Sequence, residues 1–564
     1  MVASDDKKLS MPPPPKDTSA AATDPIATPR QIDDDDVYVD IDDTKATPSK
    51  STRVPSYRSL HRTSSRQTLS RLESFIHPEH SKALLPTTVL YVSVIISLIG
   101  SFQTGWLLTQ LNFLPFNKGC DAVEIAPETC IMFPGHSKNE WTMTIVAWVV
   151  GAAISAGLSG IPADKIGRKR TMFFNAFVMI VGAAVQATAQ SIYLLALGRF
   201  ISGLATGTAI NVSNVFISEI SPLQLRGMLS TGLQVGVAVG SLCVTSTHYI
   251  IGTGHYGWRI MVGTPMLFGL VQILLMPVMS QSPVWLVGQG RIEEAGAAMR
   301  RLYLPTDYDE ILHAVVQSHE EEQREMAVVK PWAALFSRKY ALQLLIAIVI
   351  CSAQQLSGIN AVMYYSATIF NQTGISDPRV ANTILNVIRT CSIFVAARLI
   401  DRFPRRTLLS IGMSVMAIAS GVLVYSLVNS VPALAVAAVG VFVAAWGLSI
   451  GPMCWMVGAE LFPDFLHANA GSVGVMCTWF FNTLVTIFYP ILAQSNNLGN
   501  YAFCIFSGCL IAIVLFVIFV VPETGHKTYV EIAQAFGIEE VDHAETSQEF
   551  PDRVSTSDRT PRDV

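Results

Sequence analysis

Apolar residues along this chain gather into about a dozen long runs between Leu84 and Val521, over 86–112, 140–160, 171–190, 192–214, 228–251, 259–279, 341–369, 378–400, 406–428, 432–457, 470–493 and 500–521. Each approaches the roughly 20 residues a helix needs to cross the hydrocarbon of a bilayer. Barrel strands would be about half as long and strictly alternating. The pattern therefore predicts an all-α membrane protein with twelve transmembrane helices, since a helix satisfies its backbone hydrogen bonds internally. Polar stretches divide the rest. Residues 1–83, with a proline run, the acidic DDDDVYVDIDD and a Ser/Arg-rich segment, are expected to be a disordered tail. Residues 283–340 read as a linker of short amphipathic helices between two six-helix halves, 84–282 and 341–523, and 524–564 form a second tail.

Composition fits this picture: the 564 residues are 51% hydrophobic and 14% charged, with mean hydropathy +0.42 despite the polar ends. A net charge of −4 averages tails and loops and makes no case for a nucleic-acid partner. No cofactor is expected, and no HExxH or phosphate-binding loop interrupts the spans to suggest an enzyme. The start lacks the apolar region of a cleavable signal, so the first hydrophobic helix is expected to direct insertion. The Ser/Arg-rich segment before the membrane reads either as an anionic-lipid contact released by phosphorylation or as a solvated tether.

Lys and Arg in short loops set orientation. The turns after helices 2, 4 and 8 read DKIGRKR, QLR and DRFPRR, whereas the opposite loops carry scattered Lys118, Lys138, Arg259 and Arg379. Both termini and the linker are therefore expected in the cytosol. The turn Asp164-Lys165-Ile166-Gly167-Arg168-Lys169 recurs as Asp401-Arg402-Phe403-Pro404-Arg405-Arg406, each after the second helix of its half. Duplicated halves around a central site are a transporter plan. Seven of nine cysteines lie in apolar spans, while Cys120 and Cys130 share an outer loop where the compartment permits a bridge without requiring one. Asn371 begins a glycosylation pattern close to helix 7, and Asn211 begins another inside helix 4.

Helix 1 carries Gly-Ser-Phe-Gln-Thr-Gly at 100–105, and helix 4 opens with Gly198-Arg199-Phe200 and closes with Glu219 and Arg226-Gly227. Helix 7 reads Gln354-Gln355-Leu356-Ser357-Gly358-Ile359-Asn360, then Tyr364-Tyr365. Helix 10 contains Gly451-Pro452-Met453-Cys454-Trp455 and Glu460-Leu461-Phe462-Pro463, and Pro522-Glu523-Thr524 follows helix 12. Over about residues 88–535 these motifs resemble the sugar porters of the major facilitator superfamily, most closely the facilitative glucose transporters. The resemblance implies transport of a hexose-type sugar by alternating access.

The residues give that reading physical content. Carboxamides at Gln354, Gln355 and Asn360 are costly to leave unpaired in a membrane, and each both donates and accepts, which suits sugar hydroxyls better than an ion. On a continuous helix Gln354 and Tyr365 lie near one face while Gln355, Asn360 and Tyr364 fan around it, so not all are expected to touch one ligand. Gly358 is expected to weaken the helix. The resemblance implies hydroxyl binding by Gln354, Gln355 and Asn360, gating by Tyr364 and Tyr365, a further amide at Gln234, ring stacking on Trp455, and secondary roles for Trp479 and Asn482. The competing reading for each is interhelical packing or hydrogen bonding.

Proton-coupled relatives carry an aspartate in helix 1 where this chain has Gly105-Trp106-Leu107, and no other acid lies at mid-span. Facilitated diffusion is therefore expected, with proton symport and a non-transporting receptor as alternatives. Counting back from Asp401 puts Arg389 where the family often has a sugar-contacting asparagine, with Asn386 a turn earlier. Arg389 then lines the cavity, or a helix shift restores Asn386, or Arg389 snorkels. Asp164, Arg168, Glu219, Arg226, Asp401, Arg405, Arg406, Glu460 and His467 resemble a cytosolic charge network that shuts the inner gate. His467 replaces an expected arginine, Pro404 a glycine, and Ser280-Gln281-Ser282-Pro283-Val284 an expected Pro-Glu-Ser-Pro-Arg. A single chain is expected to suffice, in a plasma or vacuole-type membrane.

Overall fold

The computed structural model describes residues 85–536, apart from 117, 121, 123–124, 126–129, 252–255, 305–311, 314, 318, 321–329, 373–376, 401, 495, 526 and 528. The expected tail 1–83, the part of the second tail beyond 536 and Asp401 lie outside the described residues, while the start of the second tail carries a short helix, Tyr529–Ala535.

Among the described residues twelve helices are long and apolar enough to cross a membrane. The first half comprises α1 (Thr88–Thr109), α2 (Lys138–Leu158), α3 (Arg168–Thr188), α4 (Ile192–Ile220), α5 (Leu223–Ile251) and α6 (Gly257–Leu275). The second comprises α7 in two pieces (Ala341–Leu356 and Ile359–Gln372), α8 (Pro378–Leu399), α9 (Arg405–Val428), α10 in two pieces (Pro432–Leu448 and Ile450–Glu460), α11 (Asp464–Leu492) and α12 (Phe503–Val520). Their entries follow from local chemistry. Ser137 and Glu140 form a reciprocal capping box on α2, and Ser191 caps α4. Asp377 caps α8, with Pro378 in its first turn.

Within the first half α2 and α3 both pack on α4, and α1 packs on α5. Small residues permit this approach: a Cβ on Gly203 would lie 2.2 Å from the Trp148 carbonyl oxygen, and one on Gly207 2.1 Å from that of Ala152. Lipid gives helices no hydrophobic reason to associate, so backbone contact of this kind has to hold them. In the second half α9 packs on α10 and α12, and the first piece of α7 on α11. The halves meet where α2 lies against α11 and α5 against α8.

The breaks in α7 and α10 have different origins. Gly358 adopts φ +89°, and a Cβ there would lie 2.7 Å from the Phe506 ring, so this position requires glycine. Helix 10 was expected to run unbroken, and instead Ser449 leaves the helical region with φ −128° and ψ −102°. Gly447, Gly451 and Pro452 flank that break, and Pro452 has no N–H to donate to the carbonyl of Leu448, where the first piece ends.

Between the halves, short helices Pro283–Gly288, Ile292–Leu302 and Pro331–Leu335 form the linker. Its first two helices clamp to the first half, while Pro331–Leu335 packs on α11. Trp285 Nε1 donates to the Asp164 carbonyl at 2.8 Å, Tyr303 donates to that of Ile220 at 2.9 Å, and the strand-like segment before α1 pairs with the residues after Leu302.

Candidate functional site

The break in α7 reshapes the amide cluster. Its second piece restarts in a new direction, and Asn360 comes to donate to Gln355 Oε1 at 2.5 Å and to Asn482 Oδ1 on α11 at 2.9 Å. Gln355 in turn donates to Gln354 Oε1 at 3.0 Å, and Gln354 to the Gly451 carbonyl of α10 at 2.9 Å. Thr486 adds a donor to Asn482 at 3.3 Å. Gln354 and Gln355 meet within the first piece of α7, and the break adds Asn360, which a continuous helix would turn away from Gln355. All four amides are buried, at 4–9% exposure.

Both tyrosines reach the other half. Tyr365 lies beside Tyr489 with its hydroxyl 3.4 Å from the Thr486 carbonyl, and the same hydroxyl meets the Thr142 side chain of α2. Tyr364 reaches the other half, edge-on to Trp148 of α2 at 6.3 Å, and Trp148 meets Trp479 of α11 at the same separation. Tyr364 and Tyr365 are thus both placed at the junction of halves. Trp455 is half-buried against the core, and Gln234 is half-buried on α5 with no hydrogen-bond partner among the described residues.

Arg389 does not snorkel. It sits midway along α8 at 4% exposure, its guanidinium 5.3 Å from the Trp446 ring and Nη1 3.8 Å from Met363 Sδ. Asn386 shares its face and is buried too, donating to the Asn382 carbonyl at 2.9 Å. The alternatives of arginine or asparagine in the site therefore merge, because both turn the same way.

Two ends of the bundle differ in how the halves are joined. Cys120 and Cys130 are disulfide-bonded at one end. There Asn112, just beyond α1, donates to the Met363 carbonyl and to Ser366 Oγ, both at 2.8 Å, and accepts from the Ala367 amide at 3.1 Å. Tyr249 and Thr383 hydroxyls lie 3.2 Å apart, and Arg379 stacks on Tyr249. Sequence reasoning missed Asn112 and Trp148. An asparagine at a helix exit looks like an ordinary cap, and the signal is its burial alone.

At the linker end the described ion pairs stay within halves. Arg168 bridges Asp164 at 2.9 Å and Glu219 at 2.8 Å, and Arg405 faces Glu460 at 3.7 Å. The repeat extends further than the turn motif: Arg168 also donates to the carbonyl five residues earlier, Ala163, as Arg405 does to Ile400. Gln281 accepts from the Lys169 amide at 3.1 Å, and Glu523 accepts from the amides of Arg405 at 2.7 Å and Arg406 at 3.1 Å. The side chain after the sixth helix of each half thus caps its third helix, neutral in one and anionic in the other. Arg406 donates to the Ile518 carbonyl. The side chains of Arg226 and His467 lie outside the described residues, as does Thr373 of the Asn371 pattern. Asn211 is occupied with Ser159 Oγ at 2.7 Å.

Two six-helix halves, the second holding a buried line of amides, make a multi-pass helical membrane protein. Comparison with known proteins agrees. The Sugar (and other) transporter family matches residues 92–536, and the chain belongs to that family of transporters. It is 32% identical over 479 residues to solute carrier family 2, facilitated glucose transporter member 3 of Canis lupus familiaris, covering 80% of this chain and 93% of that one. Member 14 of Homo sapiens is 30% identical over 477 residues, covering 81% and 89%. Among solved structures, the proton:xylose symporter XylE bound to 6-bromo-6-deoxy-D-glucose superposes with TM-score 0.66 at 22% identity, covering 80% of this chain and 99% of that one. The inward-open conformation of XylE from E. coli gives the same score and identity, over 79% and 99%.

Proposed function

We propose that the chain carries a hexose, with glucose as the reference substrate, by alternating access and facilitated diffusion. The observation that carries this reading is the line of carboxamides at the break in α7, which offers donors and acceptors without fixed charge. Gln354, Gln355, Asn360 and Asn482 bind hydroxyls, Gln234 approaches from the opposite half, and the Trp455 indole covers the apolar face of the ring. Asn386 and Arg389 border the same site. Tyr364 and Tyr365 gate at the junction of halves.

Uniport follows from where the acids are. Among the membrane helices, Glu140, Glu219, Glu460 and Asp464 all lie near helix ends, which leaves the middle of the pathway without a carboxylate to carry a proton. The linker end faces the cytosol by its Lys and Arg content, with both termini on that side. Halves tied at the disulfide end and ion pairs confined within halves at the linker end support an orientation open to the cytosol. In the opposite orientation Arg168, Arg226, Arg405, Arg406 and His467 regroup with Asp164, Glu219, Asp401 and Glu460 across the gate. The protein works as a single chain in a plasma or vacuole-type membrane.

Uptake of labelled glucose into sealed vesicles, with and without a protonophore, tests the reading. Equilibration that ignores the protonophore supports uniport, collapse of accumulation indicates proton symport, and binding without flux indicates a receptor.

A further inference from the structure

The face of α8 turned toward α7 and α10 carries Asn382, Asn386 and Arg389, spaced four and three residues apart and hence on one side of the helix. All three are buried at 3–4% exposure, and each has a polar atom with no hydrogen-bond partner among the described residues: Oδ1 of both asparagines and Nε of Arg389. The neighbours of the guanidinium are soft and uncharged. They are the Met363 thioether and the Trp446 ring. Trp446 Nε1 is itself buried without an acceptor.

This cluster adjoins both ends of the α7 amide line. Met363 is three residues beyond Asn360 in the same helix piece. The Trp446 ring packs at Gly451, where a Cβ would lie 3.0 Å from it, and the Gly451 carbonyl is the last acceptor of the line. A cation in a low-dielectric interior demands an anion, and a guanidinium fork fits a planar carboxylate better than any hydroxyl. No acid of the chain lies at mid-span to supply it.

We propose that the site also takes a sugar acid, a polyhydroxylated monocarboxylate such as a hexuronate. Its carboxylate pairs with Arg389 and accepts from Trp446 Nε1, and its hydroxyls donate to Oδ1 of Asn382 and Asn386 and engage the α7 amides. The inference rests on the reading of those amides as the sugar site. A simple anion would satisfy Arg389 but leave the two asparagine oxygens unpaired, whereas a neutral hexose would do the reverse.

The test uses the purified full chain in proteoliposomes at neutral pH with the membrane potential clamped. Uptake of labelled glucuronate and of labelled glucose is compared for wild type, Arg389→Asn and Arg389→Lys. The expected result is saturable glucuronate uptake by wild type, competed by gluconate. The glucuronate-to-glucose ratio falls by about tenfold or more in Arg389→Asn, as loss of a charge-assisted hydrogen bond requires, and recovers in part in Arg389→Lys. Glucose uptake without glucuronate uptake overturns the sugar-acid assignment and leaves the hexose reading standing. A ratio unchanged in Arg389→Asn also overturns it, and uptake of neither sugar overturns both readings. Should Arg389→Asn fail to fold, thermal protection of wild type decides: stronger protection by glucuronate than by glucose supports the assignment, and equal or weaker protection overturns it.

Discussion

Replacing Asn112 with alanine removes three hydrogen bonds that cross between the halves at the disulfide end, to Met363, Ser366 and Ala367, at 2.8–3.1 Å. At a net worth of about 0.5–1.5 kcal/mol each, they favour the orientation closed at that end by about 2–4 kcal/mol. With tenfold in population for every 1.4 kcal/mol or so, the substitution shifts the orientation equilibrium by roughly 30-fold or more. The Ala367 amide also loses its acceptor. Hydrogen exchange read by mass spectrometry over residues 359–372 is the direct assay, with the wild type as reference. The second piece of α7 should exchange about tenfold faster or more in Asn112→Ala, and Ser366→Ala, which removes a single bond, should fall between. Exchange within twofold of wild type in Asn112→Ala would refute the reasoning, because it would mean that contacts elsewhere hold that end shut.

Three further outcomes follow from other features. Glu523→Gln leaves α9 with a weaker, uncharged cap and should cost about 1 kcal/mol in thermal unfolding, while Gln281→Glu at the repeat-related position on α3 should gain about 0.3–1 kcal/mol; equal effects of both would deny the pairing of these positions. Gly358→Ala combines an unfavourable φ with a Cβ driven into Phe506 and should cost about 2–4 kcal/mol in stability or abolish transport, whereas Gly421→Ala, with nothing within 4 Å of its Cβ, serves as the silent control. Cys120→Ser opens a disulfide spanning 10 positions and should lower stability by about 3 kcal/mol, read as a lowered Tm that an impermeant reductant reproduces in the wild type.

Much of this architecture was legible because a bilayer leaves few solutions for an apolar run of twenty residues. Span 192–214 was read short of the real α4, Ile192–Ile220, since the helix continues as a polar, Glu219-bearing turn beyond the hydrocarbon. The interruption at Gly358 could be foreseen from one residue type, whereas that at Ser449 was read through although Gly447, Gly451 and Pro452 surround it. The amides were recognisable as a group, yet their order was not. Gln355 and Asn360 meet only because the helix axis changes between them. Asn112 and Trp148 escaped notice for a related reason: their partners lie about 250 and 330 positions away, at Met363 and Trp479, and local pattern carries no trace of that distance.

A cation held midway along α8 also has an electrical consequence. When the pathway opens at the linker end, Arg389 shares the potential of that side, and when it opens at the other end it shares the opposite potential. A full swing of the empty carrier therefore displaces up to one elementary charge through the membrane field, worth about 2.3 kcal/mol per 100 mV. A bound carboxylate cancels that charge and uncouples the loaded carrier from the field, whereas a neutral sugar leaves it in place. Voltage then acts on different strokes of the cycle for the two kinds of cargo: on the empty return alone for a sugar acid, and on both strokes, in opposite senses, for a hexose.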